Sequence, residues 1–78
     1  MARVRVPLSR LRPGSKAVVA GLPPHAATAD ELAALRVLPG EEIEVVQVIA
    51  LGGPVLIRSA GGLYAIGREL ADILPVEP

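Results

Sequence analysis

The sequence contains no cysteine, tryptophan or phenylalanine, and Tyr64 is its single aromatic residue. Without cysteine the chain cannot form a disulfide framework, a thiolate zinc site or an iron–sulfur cluster, and it has no cysteine nucleophile. One aromatic residue cannot build the stacking platform on which proteins bind single-stranded nucleic acid. These absences exclude thiol chemistry and argue against base recognition.

An excess of charge of one sign is also lacking. Eight Lys and Arg residues balance eight Asp and Glu residues, so the formal net charge at pH 7 is zero. Such a chain has no net field that attracts nucleic acid or an acidic membrane surface. No apolar run approaches the roughly 20 residues that span a bilayer, and no signal-peptide core follows the N-terminal charges. We therefore expect a cytoplasmic protein with no nucleic-acid partner and no direct membrane insertion.

What the chain does contain is a high content of Val, Leu, Ile and Ala. Hydrophobic residues make up 51% of its 78 residues and charged residues 21%, which is the profile of a globular protein. A chain of this length is expected to fold as one domain and to bury only about 60% of the surface that its unfolded form exposes. We expect that domain to span residues 1–78, with its core elements between about residues 7 and 76.

Short strands are predicted where apolar residues alternate with charged ones or cluster between turn residues. The predicted strands are Lys16–Gly21, Glu42–Val48, Val55–Arg58, Leu63–Ile66 and Ile73–Val76, preceded by a short strand or extended arm at Arg3–Val6. The alternation shifts by one residue at Val46, which predicts a β-bulge. About five short strands favour a small barrel over an open sheet, because closure removes exposed edges.

The predicted helices are short. Thr28 and Glu31 have the spacing of a capping box, so Thr28 is expected to be the N-cap of a helix that ends before Pro39-Gly40. Leu8 and Leu11 have the spacing of one helical turn, and Gly67–Asp72 is expected to form another. Helices of about two to three turns do not persist alone in water, so the central helix must pack on the sheet.

Several of these elements together resemble the FeoA family, the small accessory proteins of bacterial ferrous iron uptake. The resemblance covers almost the whole chain, from about Pro7 to Val76. The matching stretches are Pro7-Leu8-Ser9-x-Leu11-x-Pro13-Gly14, Leu32-x-x-Leu35-x-x-Leu38-Pro39-Gly40, the strand ending at Val48, Leu51-Gly52-Gly53-Pro54-Val55, Ala65-Ile66 and Ala71.

The resemblance implies a mainly β fold. This is a small SH3-like barrel with one short α-helix between the first and second barrel strands and a single helical turn near the C-terminus. It also implies a non-catalytic role as a binding or regulatory module for the iron transporter that carries a cytoplasmic GTPase domain. A related barrel is the C-terminal domain of iron-dependent repressors, so the alternative is a regulatory barrel that responds to a divalent metal.

Two positions depart from the family pattern. Arg36 stands where the family usually has Gly, so the helix exit either avoids a left-handed backbone or adopts one at some cost. Gly53 stands where the family usually has Asp, which removes a carboxylate from that loop. We predict that Arg36→Gly and Gly53→Asp both leave folding nearly intact.

The sequence offers few residues for a site. The partner-binding candidates are Arg36, Arg58, Tyr64 and Arg68, whose alternative is an ordinary surface role. The weak metal candidates are His25, Glu42 and Glu44, for a divalent ion such as iron, zinc or manganese, and the alternative is a solvated loop and the outward face of a strand.

Catalysis is not expected, because no serine has a base and an orienting group around the single histidine. No cofactor is required on this interpretation. A homo-oligomer and a small RNA-associated barrel stay open as alternatives, although the neutral charge and the scarcity of aromatics disfavour the second.

Overall fold

The computed structural model describes residues 4–78, which form one mainly antiparallel β structure. The strands are β1 Val6–Pro7, β2 Lys16–Val19, β3 Glu42–Val48, β4 Val55–Ser59, β5 Gly62–Ile66 and β6 Pro75–Glu77. The helical elements are a 3₁₀ turn at Leu8–Arg10, helix α1 at Ala26–Ala34 between β2 and β3, and helix α2 at Arg68–Ala71. The prediction of a small SH3-like fold with one helix inserted early and a helical turn late is confirmed.

The six strands pair in the order β1-β6-β2-β3-β4-β5, and every pair is antiparallel. Strand β1 lies at the end of the predicted N-terminal strand or arm, Arg3–Val6, and it consists of the pairing of Val6 with Val76 and of Pro7 with Pro75. Within residues 4–78 no ladder joins β1 to β5. Strand β1 has only two residues, since Pro7 has no N–H to donate and the chain turns into the 3₁₀ element directly after it.

The last strand begins later than predicted. The N–H groups of Ile73 and Leu74 donate to the Leu70 carbonyl at 3.1 and 3.0 Å, which completes the turn after α2. These residues therefore belong to the helix exit, and the strand starts at Pro75. Arg3, where the predicted N-terminal arm begins, lies outside the described residues.

The bulge in β3 is confirmed. Val45 pairs with Ile57, but the next registered pair is Gln47 with Leu56, so Val46 is the additional residue. Val45 is fully buried and Val46 is 36% exposed. The bulge therefore turns the second half of the strand away from the core, as a small, strongly curved sheet requires.

The prediction of a capping box formed by Thr28 and Glu31 is wrong. Helix α1 begins at Ala26 with His25 as its N-cap, and no side chain caps it. The Ala29 N–H already donates to the His25 carbonyl at 3.0 Å, so Thr28 lies inside the first turn. Alanine is the strongest helix former, and the two alanines before Thr28 extend the helix back to the proline loop.

A single hydrophobic core receives side chains from both sheet and helices. The helix α1 contributes Leu32, the 3₁₀ turn Leu8 and helix α2 Ala71, and all are almost fully buried. The other core residues come from the strands and their flanks, namely Ala17, Val19, Val37, Ile43, Val45, Val55, Ile57, Ile66, Leu74 and Val76. Because the helix ends are fixed by this core, the turns that follow them have defined positions.

Candidate functional site

Helix α1 ends in a Schellman motif whose left-handed residue is Arg36. The Arg36 N–H donates to the Ala33 carbonyl at 3.0 Å, and the Val37 N–H donates to the Leu32 carbonyl at 2.9 Å. Arg36 has φ +62°, and the apolar pair of the motif, Leu32 and Val37, lies in the core. Of the two alternatives for the helix exit, the structure has the left-handed backbone without the usual glycine.

The β4–β5 hairpin binds this helix end. The Ser59 hydroxyl donates to the Leu35 carbonyl at 2.6 Å, and the Gly61 N–H donates to Ser59 Oγ at 3.1 Å. The Tyr64 hydroxyl donates to the Gly61 carbonyl at 2.7 Å. Carbonyls in the last turn of a helix lack intrahelical donors, so Ser59 supplies one that the helix cannot. Helix end and hairpin thus form one unit.

Arg36 and Tyr64 lie on either side of Gly61. A Cβ at position 61 would be 3.1 Å from Arg36 Cγ and 3.2 Å from the Tyr64 hydroxyl oxygen. The structure therefore brings together two of the four predicted partner-binding residues. It does so through a hairpin turn in which a side chain at position 61 would crowd both.

The other arginines have different neighbours. Arg58 forms an ion pair with Glu44 across the β3–β4 ladder at 3.3 Å, just as Arg36 forms one with Glu41 at 3.4 Å. The Arg36 and Arg58 side chains are 56% and 60% exposed, so each pair is worth only about 0–1 kcal/mol. Both guanidinium groups therefore remain accessible to carboxylates of a partner.

Arg68 is directed at the protein's own backbone. Its Nε donates to the Gly53 carbonyl at 3.0 Å, and its Nη2 donates to the Ile49 carbonyl at 2.7 Å, both in partly buried surroundings. The side chain thus connects α2 to the turn between β3 and β4. Residue type alone could not reveal this, because the acceptors are main-chain oxygens far away in sequence.

The β3–β4 turn contains the residue that sequence reasoning missed. Leu51 has φ +60°, Gly52 has φ +75°, and the Gly53 N–H donates to the Ala50 carbonyl at 3.2 Å. Positive φ at both central residues is the mark of the type I′ hairpin turn, which glycine and asparagine favour. Leu51 is also completely exposed. A leucine between turn residues was the one available signal.

The geometry of the same turn argues against the prediction that Gly53→Asp leaves folding nearly intact. A Cβ at this position would lie 2.6 Å from Ile49 Cγ2 and 2.8 Å from Ile49 Cβ. These atoms belong to the rigid, branched base of the side chain, so they cannot move away cheaply. Gly53→Asp is therefore expected to disturb the turn, in contrast to the near-neutral effect anticipated from the sequence.

The metal candidates are scattered. His25 is exposed at the start of α1 and borders a cleft with Glu31 and Glu69, Glu42 is exposed on β3, and Glu44 is paired with Arg58. Within residues 4–78 there is no group of three or more His, Asp or Glu side chains that could hold a metal ion. Metal binding by these residues stays a prediction without a preformed site to support it.

In the described part of the chain, no helix is long and apolar enough to cross a membrane. A family model described as the FeoA domain matches residues 6–78. No curated protein matches the chain significantly.

Solved structures share the fold. A crystal structure of an "Iron Uptake Regulatory Protein (FeoA)" is 31% identical, with a TM-score of 0.81, over 95% of this chain and 96% of that one. Iron(II) transport protein A from Clostridium thermocellum is 35% identical, with a TM-score of 0.83, over 92% of this chain and 44% of that one. A manganese-dependent transcriptional repressor is 14% identical, with a TM-score of 0.86, over 96% of this chain and 41% of that one, which shows a shared fold alone.

Proposed function

The chain belongs to the FeoA family, and from this premise we propose that it is a non-catalytic accessory protein of ferrous iron uptake. It binds and regulates the membrane transporter through that protein's cytoplasmic GTPase domain, and it acts in the cytoplasm without a required cofactor. The observation that carries the proposal is the family match over residues 6–78.

The surface geometry suits a binding module. Tyr64 is held by its hydrogen bond to the Gly61 carbonyl, and the backbone next to Arg36 is held by the bond from Ser59 to the Leu35 carbonyl, so little backbone order has to be gained on binding. Arg58 adds a second accessible guanidinium on β4. Arginine and tyrosine are the residue types that most often dominate binding energy at protein interfaces.

The serine and histidine chemistry fits a protein without catalytic function. The Ser59 hydroxyl donates its proton to the Leu35 carbonyl, so it is not poised toward a base. His25 is the only histidine, and it lies at the start of α1. A serine nucleophile needs an adjacent base that is itself oriented by a third group.

Titration calorimetry tests the proposal with the purified chain and the transporter's cytoplasmic region, in the presence of GDP, a GTP analogue and Fe²⁺. We expect saturable binding in at least one of these states. The double variant Arg36→Gln/Arg58→Gln should weaken it by about tenfold, since each lost rim charge has a modest effect. The matched control is Arg10→Gln/Arg12→Gln, which removes the same charge from exposed residues before β2. Absence of binding in every state would refute the proposal.

The second candidate is a barrel that responds to a divalent metal, and the similarity to the manganese-dependent repressor favours it. Calorimetry with Fe²⁺, Mn²⁺ and Zn²⁺ separates the two. A dissociation constant below the millimolar range of weak carboxylate sites would support the metal-responsive role. Because the candidates are scattered, His25→Ala and Glu42→Gln are measured separately, and the variant that lowers the heat identifies the ligand. No heat from any of the three ions would remove this candidate.

A further inference from the structure

We propose that Leu51, at the tip of the β3–β4 turn, is an anchor that enters an apolar pocket on the protein partner. The inference rests on the proposed function, because that function supplies a protein partner. It assigns a role to a residue that belongs to a stretch matching the family but was not among the predicted partner-binding residues.

Two properties set Leu51 apart in the isolated chain. Its side chain is completely exposed to water, so it contributes no burial to the fold, and its backbone has the unfavourable φ of +60°. Glycine or asparagine at this turn position would avoid the cost of the positive φ. Local rules broken at one residue without a compensating contact are typical of functional positions.

The turn presents Leu51 on a rigid base. Arg68 donates to the carbonyls of Ile49 and Gly53, which flank the tip on both sides. The Ile49 N–H donates to the Pro54 carbonyl at 3.0 Å and closes the base of the hairpin. A backbone fixed in advance loses less conformational freedom on binding, which favours the use of this turn to present an anchor.

The residues of the turn favour a protein pocket, and not a membrane, as the binding site of Leu51. Positions 50–53 read Ala-Leu-Gly-Gly, with one large apolar side chain and no charge. Attachment to a membrane surface requires a broader apolar face or basic residues that attract anionic lipids. A protein pocket, in contrast, can bury a single leucine side chain, and the apolar surface removed from water adds affinity.

The test measures the affinity of four variants for the transporter's cytoplasmic region by calorimetry. Leu51→Asn and Leu51→Gly suit the left-handed backbone, so they should unfold at the same urea concentration as the wild type or a higher one. We expect both to bind about 10- to 100-fold more weakly, the loss that removal of one buried leucine side chain produces. Leu51→Met keeps an apolar side chain, and Leu63→Thr removes an exposed leucine from β5. Both controls should bind within about threefold of the wild type.

Each other outcome overturns the inference in a distinguishable way. Wild-type binding that Leu51→Asn leaves unchanged would refute the anchor and leave the proposed function standing. No binding by the wild type would remove the proposed function and the anchor together. Sedimentation with phosphatidylcholine–phosphatidylglycerol vesicles that depends on Leu51 would show that Leu51 inserts into a membrane and not into a protein pocket. A dimer in light scattering that dissociates in Leu51→Asn would show that Leu51 binds a second copy of the chain.

Discussion

Replacement of Arg36 by glycine should stabilise the helix exit. Arg36 has φ +62° in the Schellman motif that ends α1. The left-handed conformation costs a residue with a Cβ about 1–2 kcal/mol, because the Cβ approaches the following carbonyl oxygen. Glycine has no such contact, so Arg36→Gly removes this cost from the folded state.

Two losses reduce the gain. Arg36→Gly removes the exposed ion pair with Glu41, which is worth about 0–1 kcal/mol. Glycine also gives the unfolded chain more conformational freedom, at a cost of about 0.5–1 kcal/mol. Arg36→Ala is the matched control, because it loses the same ion pair and keeps the strained backbone. The left-handed cost minus the entropy term is about 0–1.5 kcal/mol, so we expect the glycine variant to be more stable than the alanine variant by about 0.5–1 kcal/mol, the middle of that range.

Urea and thermal unfolding of the two variants and the wild type provide the measurement. For a domain of this size the difference corresponds to a melting temperature about 2–8 °C higher for glycine than for alanine. The urea dependence should be the same in all three proteins, since the surface exposed on unfolding hardly changes. An alanine variant as stable as the glycine variant would show that the exit carries no backbone strain.

Two further perturbations concern the β3–β4 turn. Gly53→Ala should cost about 1–3 kcal/mol because its Cβ meets Ile49 at 2.6 Å, whereas Gly21→Ala, whose Cβ meets only a proline ring carbon at 3.4 Å, should be nearly neutral. Equal urea midpoints for the two variants would contradict this account. Arg68→Met should cost about 1–3 kcal/mol, since it leaves two carbonyls without their charged donor. The control Arg58→Met removes an exposed ion pair, so it should cost about 0–1 kcal/mol, and this cost should decrease in high salt. A similar salt dependence for Arg68→Met would contradict a role for its partly buried hydrogen bonds.

Local patterns in the sequence were sufficient for most of the sheet. The bulge at Val46 follows from a one-residue phase shift, and the β4–β5 hairpin follows from glycines between two apolar runs. The alternation at Arg3–Val6 indicated a short strand or arm, but the bounds of β1 could not be predicted in this way, because Val6–Pro7 is a strand only through its pairing with β6 at the other end of the chain. The error at Thr28 has a related origin, since a capping box competes with the helix propensity of the alanines before it.

The candidate site was less accessible to sequence reasoning. Arg36, Arg58 and Arg68 are the same residue type, yet the first two form exposed ion pairs and the third donates to main-chain carbonyls. Only the folded backbone determines which acceptors lie within reach of a guanidinium group. The backbone strain at Leu51 could not be predicted for the same reason, because the φ angle of a residue is known only from the folded structure.

Arg36 and Leu51 both have an unfavourable backbone conformation, but their surroundings differ. Both are non-glycine residues with positive φ. At Arg36 the folded chain offsets the cost, since the Schellman hydrogen bonds bring Leu32 and Val37 into the core and the side chain reaches Glu41. At Leu51 the side chain has no compensating contact and is fully exposed. Structural compensation therefore accounts for the first residue, while for the second we propose an apolar contact that forms only in a complex.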